Sequence, residues 1–306
     1  MRAQRLEQTE RRTFVQARVG SNAPHPMEIF NTVAQMRSSA AQWKTEKKSI
    51  ALVATQGALH AGQEALIRAA KERADVVVVS VFVNPLQFGP NELMAKYPRS
   101  FDSDVALCER CGATAVFAPG AEEIYPRGFS TYVMEEATSR MLCGPSRPTH
   151  FRGVTTLMAK LFNIVQPDVA VFGQKSVQRA AVVKKMVADL NFDVEIVVVP
   201  TVREADGLAA GIRNVEFTSS QRQEALGIYT ALKRAQEMAA AGVRSPDRIV
   251  AEATHILGDR RRLRIIYISL VDRETMEPMR EVVPGRSMLA IAAWVDEVRV
   301  IDNAVL

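Results

Sequence analysis

One stretch early in the chain carries residue types that suit phosphate chemistry. His60-Ala-Gly62-Gln63 follows a turn at Gln56-Gly57 and leads into apolar residues at helical spacing. A helix start leaves free backbone N–H groups, so the stretch predicts a phosphate site with one imidazole at its mouth. An ordinary strand–turn–helix unit, with His60 as a capping side chain, stays open as the alternative.

Two cations farther along the chain are candidates for the same anion. Lys175 follows an apolar run in Phe172-Gly-Gln-Lys-Ser176, where a lysine presents a compact charge to phosphate or carboxylate. Arg213, in Gly211-Ile-Arg-Asn214, lies where the character of the chain changes and is placed to close over a bound nucleotide. Each of these two residues, taken alone, is also compatible with an ordinary solvated or capping side chain.

Three further polar residues lie in breaker-rich segments. Gln87 follows Asn84-Pro and is suited to hydrogen-bond a small polar ligand, while Arg147 and His150 lie in a predicted proline-rich loop. The sequence has no G-x-G-x-x-G motif, no Walker A lysine loop and no nucleophile elbow. It also has no cluster with metal-ligand spacing, so no protein-bound metal is predicted.

The elements that must position these residues alternate between strand and helix. Strands are predicted at Ile50–Val53, Asp75–Val83, Thr114–Ala118, Asp168–Phe172 and Glu195–Val199, and helices at Gln63–Arg73, Phe101–Gly112 and Gln178–Leu190. This order predicts an α/β fold, a Rossmann-like doubly wound parallel sheet. Ligands of such sheets bind beyond the carboxyl ends of the strands, where the loops 54–63, 84–90 and 173–178 are expected to gather.

The chain is predicted to have three parts. Residues 1–26, rich in Arg, Gln and Glu, are expected to be a disordered extension, and residues 27–201 form the Rossmann-like domain. Residues 202–306 form a smaller C-terminal α+β domain. Its helices are predicted at Ser219–Ala241 and Pro246–Leu257, and its strands at Leu263–Ser269, Met288–Val295 and Val298–Ile301.

Composition narrows the class of protein. The 306 residues are 47% hydrophobic and 24% charged, with no apolar run long enough to cross a bilayer, which predicts a soluble globular protein without a membrane partner. A net charge of +5 suits small acidic substrates, and because Lys and Arg are scattered, nucleic-acid binding is not expected. Three cysteines indicate a reducing, cytoplasmic location, and Cys108-Glu-Arg-Cys111 is expected to be an inert pair on a helix.

Several longer motifs together resemble the pantothenate synthetase (pantoate–β-alanine ligase) family of nucleotidyl-transfer enzymes. They span about Met27 to Leu306. They are Phe82-Val-Asn-Pro-Leu-Gln-Phe-Gly89, Tyr97-Pro-Arg99, Arg147-Pro-x-His-Phe-x-Gly153, Lys160 to Asp168, Phe172-Gly-x-Lys175, Val199 to Ala209, Val271-Asp272 and Ile301-Asp-Asn303.

The resemblance implies a two-step ligation: pantoate attacks the α-phosphate of Mg²⁺-bound ATP, and β-alanine then displaces AMP from pantoyl adenylate. It also implies a homodimer. The catalytic residues it implies are His60, Gln63, Lys175 and Arg213. The ATP-binding residues that it implies are Gln56, Gly57, His60, Gln63, Gly173, Lys175, Ser176, Val202, Ala210, Gly211, Ile212 and Arg213. The residues that it implies for binding the acid are Phe82, Asn84, Gln87, Arg147 and Arg179.

The chain departs from the family pattern at the sites themselves. Gln63 stands where the family has its second His, and Ser176 where it has an Asp. Arg179 replaces a pantoate-binding Gln, and Gly211-Ile212 replaces two serines. Loss of one preorganised donor to developing charge costs roughly 3–4 kcal/mol, on the order of a hundred- to a thousandfold in rate.

Three interpretations follow: a working synthetase, a relative that uses another carboxylic acid, or a non-catalytic binding protein on the same fold. Arg179 motivates the second, because arginine pairs bidentately with carboxylates. If Arg179 blocks the pantoate site, Arg179→Gln should improve the use of pantoate. ATP is required by the first two interpretations only.

Overall fold

A computed structural model describes residues 27–89 and 94–306, so the predicted extension at residues 1–26 lies outside the described residues. The strands are β1 Glu28–Phe30, β2 Ile50–Thr55, β3 Val76–Val81, β4 Ala115–Phe117, β5 Val169–Gly173, β6 Glu195–Val199, β7 Leu263–Asp272, β8 Ser287–Val295 and β9 Val298–Val305. The helices are α1 Val33–Thr45, α2 Ala61–Lys71, α3 Phe101–Arg110, α4 Ala121–Ile124, α5 His150–Val165, α6 Val177–Asp189, α7 Ser219–Ala240 and α8 Pro246–Gly258.

The predicted parallel sheet is confirmed. Six strands pair in the order β1-β4-β3-β2-β5-β6, and every pairing is parallel. The β-branched run Val76–Val81 is buried at the centre because helices cover both faces of the sheet. Chain order reverses between β2 and β5, so the loops after these two strands diverge and leave a crevice at their carboxyl ends.

Helix α5 corrects the predicted loop around His150. The turn holds Arg147, whereas His150 is already the first residue of the helix. Most of α5 is buried between the sheet and the segment around Leu86, which leaves few polar residues to mark an amphipathic stripe. The close approach depends on Gly153, where an added Cβ would lie 2.4 Å from the Leu86 carbonyl oxygen.

The last hundred residues fold around an antiparallel sheet, β7-β8-β9, packed against α7 and α8. Strands β7 and β9 run several residues beyond their predicted ends at Ser269 and Ile301. Asn303 connects this sheet to the first one, because its Nδ2 donates to the Gln174 carbonyl (2.8 Å) and its Oδ1 accepts from Gln174 Nε2 (3.2 Å). Within the described residues, no helix is long and apolar enough to cross a membrane.

Candidate active site

The largest group of predicted site residues meets in one cleft of about 250 Å³, here called the main cleft. It lies beyond the carboxyl ends of β2, β5 and β6, at the reversal of strand order. Ten of the residues assigned to the nucleotide line it: Gln56, His60, Gln63, Gly173, Lys175, Ser176, Val202, Ala210, Gly211 and Ile212. The other two, Gly57 and Arg213, are not among its lining residues.

His60 is the N-cap of helix α2. Its Nδ1 accepts the Gly62 backbone N–H at 3.1 Å, and a Cβ at position 62 would lie 2.7 Å from the ring, so this capping requires glycine there. Burial, and then the positive charge of Lys175, lower the His60 pKa to about 4. The imidazole is therefore neutral near pH 7, with its proton on Nε2 because Nδ1 is an acceptor.

Gln63 completes a capping box with His60. Its Oε1 accepts the His60 backbone N–H at 3.2 Å, which satisfies a free N–H group of the helix start. The amide is thereby oriented, and its Nε2 is left as the donor for the main cleft. The two side chains together present two neutral N–H donors beside the α2 N-terminus, where the helix dipole favours negative charge.

Lys175 supplies a cation to the main cleft. Its Nζ donates to the carbonyl oxygens of Ala209 (3.2 Å) and Ala210 (2.8 Å). A Cβ at Gly211 would lie 2.5 Å from this Nζ, so the glycine makes room for the ammonium. Burial lowers the Lys175 pKa to about 8, which keeps the side chain charged at neutral pH with little margin.

The two predicted nucleotide residues outside the lining have other positions. Gly57 has φ +80° in the turn after β2, a conformation that suits glycine, and Asp104 accepts the next two backbone N–H groups, of Ala58 and Leu59. Arg213 is exposed in a short 3₁₀ helix beside the cleft. Its charge acts on Tyr97, whose pKa is raised by burial and lowered in part by the nearby arginines.

The residues assigned to the acid divide into two groups. Phe82 is buried against Tyr125 in the core, and the Asn84 Oδ1 already accepts from Leu86 N and Tyr125 Oη. The Asn84 Nδ2 donates to the Gly153 carbonyl, so this side chain fixes the loop against α5. These contacts favour structural roles for both residues.

Gln87, Arg147 and Arg179 lie nearer to the chemistry. Gln87 is buried, and its Oε1 accepts a hydrogen bond from Gln56 Nε2 at 2.7 Å. The Gln87 Nε2 takes no part in that bond. Arg147 donates to the Gln87 carbonyl at 3.2 Å. Arg179 lines both the main cleft and a second cavity that Arg147 and His150 also line.

Eight lining residues of the main cleft were not assigned a role from sequence, among them Tyr97 and Thr201. Both residues lie in matched motifs, Tyr97 in Tyr97-Pro-Arg99 and Thr201 in Val199 to Ala209, but both residue types are common in loops and carry no specific chemical signal. Among the described residues, no group of three or more His, Cys, Asp or Glu side chains is arranged to hold a metal ion.

Cys108 is buried in α3 with its pKa raised by burial to about 12, which makes a reactive thiolate unfavourable.

Comparison with known proteins gives a consistent family. A family model described as pantoate-beta-alanine ligase matches residues 28–305. A pantothenate synthetase of Moorella thermoacetica is 48% identical over 280 residues, which are 92% of this chain and 99% of that protein. A crystal structure of pantothenate synthetase from Thermus thermophilus has a TM-score of 0.86 at 40% identity, covering 91% of this chain and 99% of that one.

A second solved structure was determined with ligands. The pantoate-beta-alanine ligase of Francisella tularensis, complexed with beta-gamma ATP and beta-alanine, has a TM-score of 0.75 at 28% identity. The match covers 91% of this chain and 97% of that one.

Proposed function

The chain belongs to the pantoate–β-alanine ligase family, and we propose that it condenses pantoate with β-alanine through an acyl adenylate formed from ATP. The observation that carries the proposal is the convergence of His60, Gln63 and Lys175 on one cleft at the strand-order reversal. The Francisella relative with ATP and β-alanine bound supports these substrates. The relatives compared above are pantothenate synthetases, which favours pantoate over another acid.

In the first step, the carboxylate oxygen of pantoate forms a bond to the α-phosphorus of ATP, and the bond to the β-phosphate oxygen breaks to release pyrophosphate. Negative charge moves onto the leaving phosphates. Lys175 neutralises it as a point charge, while His60 Nε2–H and the Gln63 amide donate hydrogen bonds to it. For this, Lys175 exchanges its carbonyl partners, Ala209 and Ala210, for phosphate oxygens.

The second His of the family is therefore replaced by a donor. A neutral imidazole and a glutamine amide can each donate an N–H to an oxyanion. Because the capping box fixes the orientation of Gln63, the donor is preorganised, which is the property that catalysis needs. This geometry favours a working synthetase over a non-catalytic protein.

The acid is proposed to lie beside Gln87 and Arg179. Gln56 Nε2 donates to Gln87 Oε1 and so orients the Gln87 amide, which leaves Gln87 Nε2 as a donor. Arg179 provides charge on the wall of the main cleft. Arg179→Gln separates the two roles open to this residue: a higher KM for pantoate indicates binding, and a lower one indicates obstruction.

Magnesium is proposed to enter as part of the Mg–ATP substrate. The described residues that line the main cleft include no carboxylate, the side chain that Mg²⁺ prefers as a protein ligand. The cleft therefore fits a magnesium ion held by phosphate oxygens and water, without a dedicated protein site.

The decisive experiment is thermal unfolding of the full chain with Mg–ATP, then with pantoate added, followed by an assay of pantothenate formation. A ligand that binds only the folded protein raises its stability by mass action. We expect an upward shift of Tm with Mg–ATP, a larger one with pantoate, and product once β-alanine is present. No shift at millimolar Mg–ATP would overturn the proposal.

A homodimer and a cytoplasmic location are proposed with it. The homodimer rests on the family resemblance, and light scattering on the purified chain tests it. The location rests on Cys108, Cys111 and Cys143, which are all buried and unpaired with one another, as expected of a reducing compartment.

A further inference from the structure

The motif Ile301-Asp-Asn303 in β9 has no part in the mechanism above, although its two polar side chains are buried. Asp302 and Asn303 are each 4% exposed, and both line the second cavity together with Lys175. Burying a polar group is unfavourable unless it is hydrogen-bonded, so the partners of these two side chains show what they hold in place. Those partners lie in the loop that carries Lys175 and in the segment that receives its ammonium group.

Asn303 holds the backbone from which Lys175 extends. Its Nδ2 donates to the carbonyl oxygens of Gln174 (2.8 Å) and Lys175 (3.4 Å), and its Oδ1 accepts from Gln174 Nε2 (3.2 Å). Gln174 and Lys175 belong to the short 3₁₀ turn Gln174–Ser176 between β5 and α6. The amide of one residue in the second sheet therefore fixes the turn that carries the lysine of the main cleft.

The ammonium end of Lys175 is held by a different segment, residues 202–210, here called the carbonyl hairpin. The Lys175 Nζ donates to the carbonyl oxygens of Ala209 and Ala210 in this hairpin. The hairpin is closed by a backbone hydrogen bond of 2.9 Å from the Ala210 N–H to the Val202 carbonyl. The position of the two carbonyl oxygens therefore depends on where the hairpin lies.

Asp302 holds the carbonyl hairpin through Arg203. The Arg203 guanidinium makes two contacts with the Asp302 carboxylate, of 2.6 and 3.2 Å, and donates to the Gly207 carbonyl at 3.1 Å within the hairpin. Arg203 also pairs with Ala209 across the hairpin through a backbone bridge. Because a two-point contact with a carboxylate fixes orientation as well as distance, Asp302 connects the carbonyl oxygens to β9.

We propose that Asp302 and Asn303 are positioning residues for Lys175: Asn303 fixes its backbone, and Asp302 fixes the carbonyl oxygens that hold its ammonium group. This rests on the proposed function, in which Lys175 neutralises charge on the leaving phosphates. A lysine side chain is a flexible four-carbon stem, so fixing the backbone alone leaves the charge free to move. Two adjacent residues of β9 restrain the side chain at both ends.

Asp302 also influences the protonation of Lys175. Burial lowers the Lys175 pKa, while the negative charges of Asp302 and then Glu204 raise it, and the balance is about 8. Removal of the charge at position 302 should therefore lower the pKa of Lys175 further. Since kcat/KM reports the pKa values of the free enzyme, the alkaline fall in the rate of ATP–pyrophosphate exchange should move to lower pH.

The other groups around Lys175 titrate outside this range. Burial is the first cause that lowers the pKa of His60 to about 4 and of His150 to about 3. Burial raises the pKa of Tyr97 and of Tyr267 above the usual tyrosine value. The remaining cations that line the two cavities or contact the carbonyl hairpin are arginines, which stay protonated: Arg147, Arg179, Arg203 and Arg299.

Asn303→Ala tests the backbone contact. We expect the Kd for Mg–ATP in calorimetry to rise, and kcat/KM for pantoate-dependent exchange to fall roughly ten- to a hundredfold, because the lysine is misplaced. The alkaline fall should stay near pH 8, since no charge is removed. In a Lys175→Ala background, Asn303→Ala should have no further effect on the Kd, because the residue that it positions is gone.

Asp302→Asn tests the contact with the carbonyl hairpin. We expect weaker Mg–ATP binding and an alkaline fall at lower pH, whereas in Lys175→Arg the same change should leave the pH profile in place. Asp296→Asn is the matched control: Asp296 is an exposed carboxylate of the same sheet region, paired with Arg262 at 2.9 Å, and it lines neither cavity. Its substitution should change neither the Kd nor the pH profile.

A purely structural role predicts a different outcome. If both variants lose stability in urea but keep the Kd and the pH profile of the wild type, or if their losses persist in full without Lys175, the positioning role is overturned. Absence of exchange in the wild-type protein would instead overturn the proposed function, while the Mg–ATP affinities, which need no turnover, still test the positioning. If neither variant folds, Arg203→Lys, which keeps the charge but loses the two-point contact, is compared with and without Lys175 in the same way.

Discussion

Gln63→Glu separates the two jobs that the structure gives to Gln63. The variant keeps a side-chain oxygen for the His60 backbone N–H, now 3.2 Å from Oε1, so the capping box survives. It removes the Nε2 donor and places a negative charge where phosphate is expected. Stability and catalysis should therefore respond in different ways.

The magnitudes follow from each role. A carboxylate in the first turn of a helix stabilises it by about 0.3–1 kcal/mol, so the free energy of unfolding should be unchanged or slightly higher. Loss of one preorganised donor to developing charge lowers kcat/KM by roughly 100- to 1,000-fold. Urea unfolding and pantoate-dependent ATP–pyrophosphate exchange measure the two quantities on the same preparation.

Helix α1 offers the matched control. Gln35 is in the same capping-box position, with its Oε1 accepting the Thr32 backbone N–H at 3.2 Å, and no residue of α1 lines the main cleft. Gln35→Glu should leave the exchange rate unchanged. If Gln63→Glu keeps exchange within a few-fold of wild type, the Gln63 amide is not the donor that replaces the second His, and the mechanism above is wrong at that step.

Three further predictions concern backbone contacts and charge. Gly153→Ala should destabilise the fold by about 1–3 kcal/mol in urea unfolding, because its Cβ would lie 2.4 Å from the Leu86 carbonyl oxygen, whereas Gly89→Ala, with open space around it, should not. The kcat/KM for ATP should fall as pH rises through about 8, because Lys175 then loses its proton, and Lys175→Arg should move that fall to higher pH. Gly211→Ser should displace the Lys175 ammonium and change the KM for ATP; an unchanged KM would contradict the contact.

The sequence predicted the sheet well because its strands are short β-branched runs between breakers. Glu195–Val199 was predicted with its observed ends, and the other core strands differ from prediction by one or two residues. Helix α5 was not predicted from the sequence, because it is buried on nearly every side, and burial on all sides is a property of the packed fold. The local pattern of residues around His150 does not contain that information.

The candidate site shows the same division. The family resemblance assigned twelve positions to the nucleotide, and ten of them line the main cleft. Their roles depended on partners distant in sequence. Asn84 fixes a loop through Gly153, 69 residues away, and Gln87 is oriented by Gln56, 31 residues away.

By itself the sequence determined the family, the parallel sheet and the edge at which the site lies, because motifs and hydrophobic patterning are local properties of the chain. Only the tertiary structure decided the electrostatics. The neutral state of His60 and the lowered pKa of Lys175 arise from burial and from charges that the fold brings together. Long-range packing sets these quantities, since desolvation and charge separation have no counterpart along the chain.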